Sequence, residues 1–456
     1  MLCVRALVAT FFAACLLALM IYPVPVSAAE DKPQPQVLFT NVNVFDGKSD
    51  KLAEGMSVLV EGNLIKKIAK GDTEVRDDAK VIDGGGRTLM PGLMDAHVHL
   101  ALVRRPGEIL NDYDWMYVGA LSNEQAEEML MRGFTTVRDI GGPTVGLHRA
   151  IEEGYVVGPR LFSSGPYITQ TSGHGDFRNY NDLHPGIYGQ YSLMEMQGWL
   201  IMADGAPEVT RAVREALRYG AKQIKMMAGG GVSSPYDPLH TVQGGPEEFS
   251  AAVKAAEQWG TYVAVHAYTD EAVRQAVEAG VMCIEHGPFL TEDTMKLMAE
   301  KGVFLAPTAR ISLTSPEDVG LDPNSGTAAK LRQVNEGAAN QLKWAKEYGV
   351  TLVFSTDQFG APENFKEQSN EFLTLAEVFE PVEVLRMATS NVAALLDLSG
   401  ELHPYREGTL GVIEDGAYAD IILVEGDPTR DVTILSDYEN KIDLIMKDGK
   451  IYKNTL

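Results

Sequence analysis

Apolar and polar positions follow two alternating patterns along most of the chain. Short apolar runs rich in β-branched residues end in a polar or small residue, and amphipathic stretches that stop at a glycine separate them. Buried parallel strands typically have the first pattern, and helices that end at glycine have the second. The repeated order of strand, loop and helix predicts an α/β fold with parallel strands over residues 89–400.

Side chains that can bind metal lie at the ends of several predicted strands. His97 and His99 stand at positions i and i+2, so a strand places both on one face. Comparable positions in later apolar runs are held by Lys225, His266, His286 and Asp357. Imidazole and carboxylate groups are common ligands of zinc-like metals. In a (β/α)8 barrel the C-terminal strand ends form the active site, so the pattern predicts a metal centre there.

Each of these residues also has a structural explanation when it is taken alone. A histidine at a strand end can be a hydrogen-bonded structural residue, and an aspartate such as Asp357 can cap a helix. Lys225 is harder to explain, because a buried unpaired ammonium costs on the order of several kcal/mol. Five strands would have to place a suitable group at the same end by accident. The joint pattern therefore favours a metal site.

The motif set resembles that of the binuclear metal-dependent amidohydrolase superfamily. The matching strands, in chain order, are LMDAHVH, FTTVRDI, PRLFSSG, QIKMMA, YVAVHA, VMCIEH, VFLAPT and TLVFSTD. The resemblance implies a (β/α)8 TIM barrel with a binuclear metal centre. One divalent ion, zinc by default, would bind His97, His99 and Asp357. The other would bind His266 and His286, and a CO2-derived carbamate on Lys225 would bridge the pair. Asp357 would be the general base for a hydroxide held between the ions.

The two ends of the chain contain alternating patterns and tight-turn sequences. Residues 30–88 include a predicted hairpin at Glu61-Gly62-Asn63, and residues 401–456 include another at Asp448-Gly449. Neither end is long enough for its own domain. We expect the two to form one small β-sandwich beside the barrel, as the resemblance also implies.

Residues 1–29 have the pattern of a signal peptide, with Arg5, a long apolar core and small residues before the cleavage site. We expect export to the periplasm or the medium, without stable membrane association after cleavage; an uncleaved anchor is the alternative. Only Cys283 would remain in the mature chain, so no intrachain disulfide is expected. The formal net charge of −24 argues against nucleic acid and anionic membranes as partners.

The long loops after strands three and four suggest a branch of the superfamily. Their segments SGHGD and GGGVSSPYDP are similar to those of imidazolonepropionase-like enzymes, Xaa-Pro dipeptidases (prolidases) and ochratoxinase. Branch members with the bridging lysine cleave an amide whose leaving group is an amino acid. Imidazolonepropionase uses one metal, and the intact Lys225 site argues against that activity. We therefore expect hydrolysis of dipeptides or N-acyl amino acids, with ochratoxin A as one candidate.

Polar residues in these loops are candidates for substrate binding. We assign that role to His174, Tyr236 and His240, although each can instead stabilise its loop. The partner would be a small molecule or a dipeptide, and the family resemblance favours a homo-oligomer. Two other functions stay open: a lactonase or phosphotriesterase on the same barrel, and a non-catalytic scaffold. A scaffold would typically have lost metal ligands.

Overall fold

The computed structural model describes residues 34–71, 73–234, 236–318 and 321–456. The predicted signal peptide, residues 1–29, lies outside these residues. Within the described part, no helix is both long and apolar enough to cross a membrane.

The described residues form seventeen β-strands and sixteen α-helices. The strands are β1 Gln36–Val44, β2 Ala53–Glu61, β3 Leu64–Lys70, β4 Lys80–Asp83, β5 Thr88–Pro91, β6 Leu93–Val98, β7 Phe134–Asp139, β8 Arg160–Ser163, β9 Tyr167–Thr169, β10 Leu200–Met202, β11 Ile224–Met227, β12 Val263–Thr269, β13 Cys283–Phe289, β14 Phe304–Ala306, β15 Ile421–Val424, β16 Ile442–Lys447 and β17 Lys450–Asn454. The helices are α1 Pro106–Asp112, α2 Trp115–Met131, α3 Val145–Glu152, α4 Pro185–Tyr188, α5 Leu193–Met196, α6 Ala206–Tyr219, α7 Pro246–Glu257, α8 Asp270–Glu278, α9 Glu292–Lys301, α10 Ala309–Leu313, α11 Gly326–Tyr348, α12 Pro362–Phe365, α13 Glu371–Ala376, α14 Pro381–Met387, α15 Ser390–Asp397 and α16 Tyr438–Lys441.

The first and last strands form one eight-stranded sheet. Its order is β17-β16-β15-β5-β1-β2-β3, and β4 pairs with β1. The two ends of the chain meet where β5 pairs antiparallel with β15, with Leu89 opposite Leu423. The predicted association of the two ends is therefore confirmed. Hydrogen bonds join all eight strands into one continuous sheet. The two packed layers of a sandwich stay a prediction.

Both predicted hairpins are present in this sheet. The β2–β3 hairpin pairs Glu61 with Leu64, and the β16–β17 hairpin pairs Lys447 with Lys450. Asp448 and Gly449 both have positive φ, at 53° and 71°, which is the backbone that a two-residue type I′ turn requires. A side chain at position 449 would also collide with the carbonyl of Gly62 in the other hairpin.

The remaining strands are parallel and form two sheets. One has the order β6-β7-β8, and the other has the order β10-β9-β11-β12-β13-β14. Seven of the eight predicted barrel strands are present, as β6, β7, β8, β11, β12, β13 and β14. The short strands β9 and β10 were not predicted. Their three residues each lie in a region rich in glycine and polar residues, where pattern alone predicts loop.

The predicted eighth strand, residues 351–357, is irregular, but it still lies between β14 and β6. It forms parallel bridges from Leu352 to Leu305 and from Gln358 to Val98. A regular ladder is interrupted because the Asp95 carboxylate accepts hydrogen bonds from both the amide and the hydroxyl of Thr356. At the other edge of the three-stranded sheet, the amide of Lys222 donates to the carbonyl of Ser163. This hydrogen bond links the end of β8 to the residues just before β11.

Amphipathic helices cover the parallel strands, as the sequence pattern predicts. Helix α6 is representative: its buried residues are Val209, Ala212, Val213, Ala216 and Leu217. This spacing of three or four residues gives one apolar face. The helix ends at Gly220, whose φ of 116° suits a residue without a side chain.

Candidate metal centre

The six predicted metal ligands lie at or near the C-terminal ends of the parallel strands. His97 is in β6 and His99 follows that strand, whereas Lys225, His266 and His286 lie in β11, β12 and β13; Asp357 ends the irregular segment. Parallel strands place their carboxyl ends on the same side of a sheet. The six side chains therefore lie close together in space.

Three acceptor atoms converge at one point of this cluster. The Oδ1 atom of Asp357 lies 3.3 Å from His97 Nε2 and 3.2 Å from His99 Nε2, and the two nitrogens are 3.3 Å apart. Lone pairs this close repel one another. Either a proton on one imidazole or a metal cation must therefore lie among them.

The other two histidines complete a continuous group of rings. The His286 ring lies 5.1 Å from that of His97 and 4.7 Å from that of His266, measured between centroids. One possible ligand atom from each of His97, His286 and Asp357 lies within 4.8 Å of the other two. Burial lowers the pKa of His266 and of His286 well below the usual histidine value. Both are therefore neutral imidazoles, the form that binds metal.

Hydrogen bonds on the far side of the rings determine which nitrogen is free. His97 donates from Nδ1 to the Glu285 carboxylate at 2.8 Å, and His99 donates from Nδ1 to the carbonyl of Gly141 at 3.1 Å. His266 donates from Nε2 to the carbonyl of Gly230 at 3.2 Å. These oxygens only accept, so in the neutral form of each ring the opposite nitrogen keeps its lone pair. Outer partners of this kind orient the histidine ligands of metal sites.

A buried ion pair supports His97. Glu285 accepts from Arg138 at 2.7 Å and from His97, and all three side chains are at most 1% exposed. Burial alone would raise the pKa of Glu285, but the Arg138 guanidinium and His97 hold that pKa well below its usual range. Glu285 is therefore an anion in the protein interior, and its charge fixes the proton of His97.

Lys225 lies in the same buried region, with only 2% of its surface exposed. Burial lowers its pKa from 10.5 to about 8, although Glu285 and Asp357 attract the ammonium. Its amine therefore loses its proton much more readily than that of a surface lysine. A neutral amine is the form that reacts with CO2 to give a carbamate.

The backbone around the centre is strained. His286, Thr308 and Asp357 have φ values of 72°, 48° and 52°, which non-glycine residues seldom adopt. Thr308 lies 2.9 Å from His286 Nδ1 through its hydroxyl. Such strain persists where surrounding contacts enforce it, and it is concentrated at functional sites.

Comparison with known proteins agrees with this geometry. The model of the amidohydrolase family matches residues 88–452. The chain belongs to the amidohydrolase family.

Its relatives include the ochratoxinase of Aspergillus niger, which is 30% identical over 382 residues, covering 80% of this chain and 75% of that protein. A solved prolidase complexed with N-methylphosphonate-L-proline is 34% identical, has a TM-score of 0.84 and covers 92% of this chain and all of its own. A solved Xaa-Pro dipeptidase with methionine bound in its active site is 31% identical, with a TM-score of 0.81 and the same coverage.

These matches confirm the predicted superfamily and its branch. The amidohydrolase is an enzyme, a hydrolase of amide or peptide bonds, in the branch that contains Xaa-Pro dipeptidases and ochratoxinase. Proteins of this family typically depend on metal ions. The group formed by His97, His286 and Asp357 is one that can hold such an ion.

The three predicted substrate-binding residues are placed differently in the amidohydrolase. The ring of His174 stacks on that of His266, with centroids 3.9 Å apart and an angle of 11° between planes. Tyr236 is 45% exposed and His240 is also exposed. Within the described part of the chain, no hydrogen bond or ring contact joins either of them to the histidine cluster. Their role stays a prediction.

Several residues beside the centre were not predicted. Glu285 and Arg138 are charged residues inside apolar strands, and the argument applied to Lys225 would have identified both. Tyr268 packs its ring 4.8 Å from His266 and 5.4 Å from His286. Its place two residues after His266 on the same strand was the available clue. Burial raises the pKa of Tyr268, so it presents a neutral phenol.

Proposed function

We propose that this amidohydrolase cleaves the amide bond of small substrates whose leaving group is an amino acid, such as dipeptides or N-acyl amino acids, ochratoxin A among them. The similarity to prolidase, Xaa-Pro dipeptidase and ochratoxinase structures supports this substrate class. The partner is then a small molecule. We propose an exported enzyme and a homo-oligomer on the basis of the sequence alone.

The main support for the proposal is that Nε2 of His97, Nε2 of His99 and Oδ1 of Asp357 lie close together. As neutral rings, His97 and His99 donate from Nδ1 to Glu285 and to the carbonyl of Gly141, and the Nε2 lone pair of each then faces Asp357 Oδ1. Nitrogen and oxygen donors in this arrangement suit a zinc-like divalent cation. The residues present therefore fit a metal ion.

We propose that two divalent ions, zinc by ligand type, are held by the full predicted set: His97, His99, Lys225 as a carbamate, His266, His286 and Asp357. Carboxylation would convert the buried Lys225 ammonium into an anion with two oxygen ligands. Such ions supply Lewis-acid activation of a water and of the scissile carbonyl.

The side chains of the protein have separate roles in this proposal. The Asp357 carboxylate is the general base, which accepts a proton from the attacking water and returns it to the leaving nitrogen. Its pKa lies well below the usual range, because the neighbouring imidazoles of His97, His99 and His286 outweigh burial. We also propose that His174, whose ring stacks on that of His266, contacts the substrate.

We further propose that the parallel strands close as a (β/α)8 barrel. Residues 351–357 connect β14 to β6 by backbone hydrogen bonds, including Val353 to Leu305 and Ala96 to Phe354. The Lys222–Ser163 hydrogen bond connects β8 to β11. In such a barrel these contacts would complete a ring of eight segments, with β9 and β10 beside it.

A hydrolysis panel with metal-loaded protein tests the function. It contains Xaa-Pro and other dipeptides, N-acyl-phenylalanines including ochratoxin A, a lactone and a phosphotriester. Lys225→Ala is compared with Lys254→Ala, a change at an exposed lysine of α7. We expect free amino acid from the wild type and from Lys254→Ala, but not from Lys225→Ala. Turnover confined to the lactone or the phosphotriester would exclude the proposed substrate class.

A further inference from the structure

Helix α11 is tied to the loop that follows β11 by one lysine. Lys330 donates from Nζ to three carbonyl oxygens of that loop: Gly231 at 2.9 Å, Ser234 at 3.0 Å and Asp237 at 2.8 Å. An ammonium has three donors, and here all three are used. Leu331 and Val334 of the same helix pack against Leu239 of the loop.

The same loop holds the imidazole of His174. The Nδ1 atom of His174 lies 2.7 Å from Ser234 Oγ and 3.2 Å from Asp237 Oδ2. Asp237 also accepts from the amide of Gly231 at 2.9 Å, so its carboxylate fixes the shape of the loop as well. Ser234 and Asp237 are buried. The orientation of His174 is therefore set by residues that Lys330 holds in place.

Glycine is needed where the loop passes the imidazole. A Cβ atom at position 231 would collide with the ring of His174. On its other side the loop reaches the candidate metal centre, since the carbonyl of Gly230 accepts from His266 Nε2. The loop thus contacts both rings of the stacked His174–His266 pair.

From these contacts we propose that Lys330 is a positioning residue of the amidohydrolase. Through the loop it holds His174 flat against His266, so helix α11 determines the geometry of the substrate side of the centre. This inference rests on the proposed function only for its kinetic consequence. The structural consequence, loss of shielding of His174, does not depend on any activity.

Lys330→Met tests the proposal, because it removes the three donors and keeps most of the apolar stem. Lys343→Met, at an exposed lysine of the same helix, is the matched control. For an amide substrate of the wild type, Lys330→Met should lower kcat/KM by about 10- to 100-fold, the scale of a displaced active-site group. Zinc content, measured by elemental analysis, should equal that of the control.

A double-mutant cycle separates positioning from a general structural effect. If Lys330 acts through His174, then Lys330→Met should lower kcat/KM by less than about twofold in a His174→Asn background. An equal loss in both backgrounds would overturn the proposal, as would unchanged kcat/KM in the single variant.

Hydrogen exchange gives a test that needs no substrate. Exchange of the imidazole C2 hydrogen of His174, followed by mass spectrometry, should accelerate in Lys330→Met and stay at the wild-type rate in Lys343→Met. Unchanged exchange in Lys330→Met would overturn the proposal. If the wild type cleaves none of the amides, the proposed function fails, and this measurement still decides the role of Lys330.

Discussion

Replacing Glu285 by glutamine should weaken metal binding, although it substitutes none of the proposed ligands. The carboxylate accepts from His97 Nδ1 at 2.8 Å, from Arg138 at 2.7 Å and from the Cys283 thiol at 3.2 Å. An amide has one accepting oxygen. The Arg138 guanidinium can only donate, whereas an imidazole can also accept, so the oxygen faces Arg138 and the NH2 group faces His97. The imidazole is then no longer held with Nε2 directed at the proposed metal.

The size of each effect follows from these contacts. Loss of an outer partner of a histidine ligand lowers metal affinity by about 10- to 100-fold, or about 1.4–2.8 kcal/mol. The Arg138 guanidinium also loses its buried counter-ion, and breaking such a pair lowers the free energy of unfolding by about 3–5 kcal/mol. The stability effect should therefore exceed the effect on metal binding.

Both quantities can be measured separately. The zinc Kd is obtained by competition with a chromophoric chelator well below the unfolding temperature, and stability is obtained by denaturant unfolding of the metal-free protein. Cys283→Ala is the control, because it removes only the weak sulfur hydrogen bonds to Glu285 and from Arg138 and leaves the pair of Arg138 and Glu285 intact. A folded Glu285→Gln protein with the wild-type zinc Kd would refute the reasoning, since His97 would then be oriented by something else.

Three further predictions concern metal content and stability. Lys225→Ala should bind fewer zinc ions per chain than the wild type in elemental analysis, and an equal content would contradict the bridging role. Burial raises the pKa of Glu371 from 4.5 to about 8, so the folded state keeps a proton that the unfolded chain releases. The free energy of unfolding should therefore fall as pH rises from about 4.5 to 8, by at most about 1.4 kcal/mol per pH unit for one proton. Glu371→Gln should make this fall less steep, as measured by denaturant unfolding at several pH values. Gly449→Ala should lower the free energy of unfolding by more than Gly416→Ala, for which we expect a loss of roughly 1 kcal/mol. Both glycines have positive φ, but of the two only Gly449 has a backbone carbonyl where the new Cβ atom would lie. Equal losses would contradict this.

The positions of the candidate ligands and most of the strands could be predicted because local pattern determines them. A buried strand that ends in a polar residue can be recognised from its own apolar run, without knowledge of the neighbouring strands. His97 and His99 share a face because of strand geometry alone. The hairpin at Asp448-Gly449 is similarly local. By contrast, residues 351–357 have a strand-like pattern but lose their regular ladder because the Asp95 side chain takes the amide of Thr356. The local sequence pattern cannot show that a side-chain carboxylate competes with a backbone carbonyl for this amide.

The protonation of the ligands depends on contacts that are far apart in sequence. Glu285 lies 188 residues from His97 and 147 from Arg138, yet these two contacts decide which nitrogen of His97 is free. Local pattern cannot pair residues at such separations. The composition of the centre is thus decided locally, whereas the state of each ligand is decided by the tertiary fold. A fold-preserving change at Glu285 should therefore alter metal binding more than a change at an exposed loop residue such as His240, although the sequence alone ranks His240 higher.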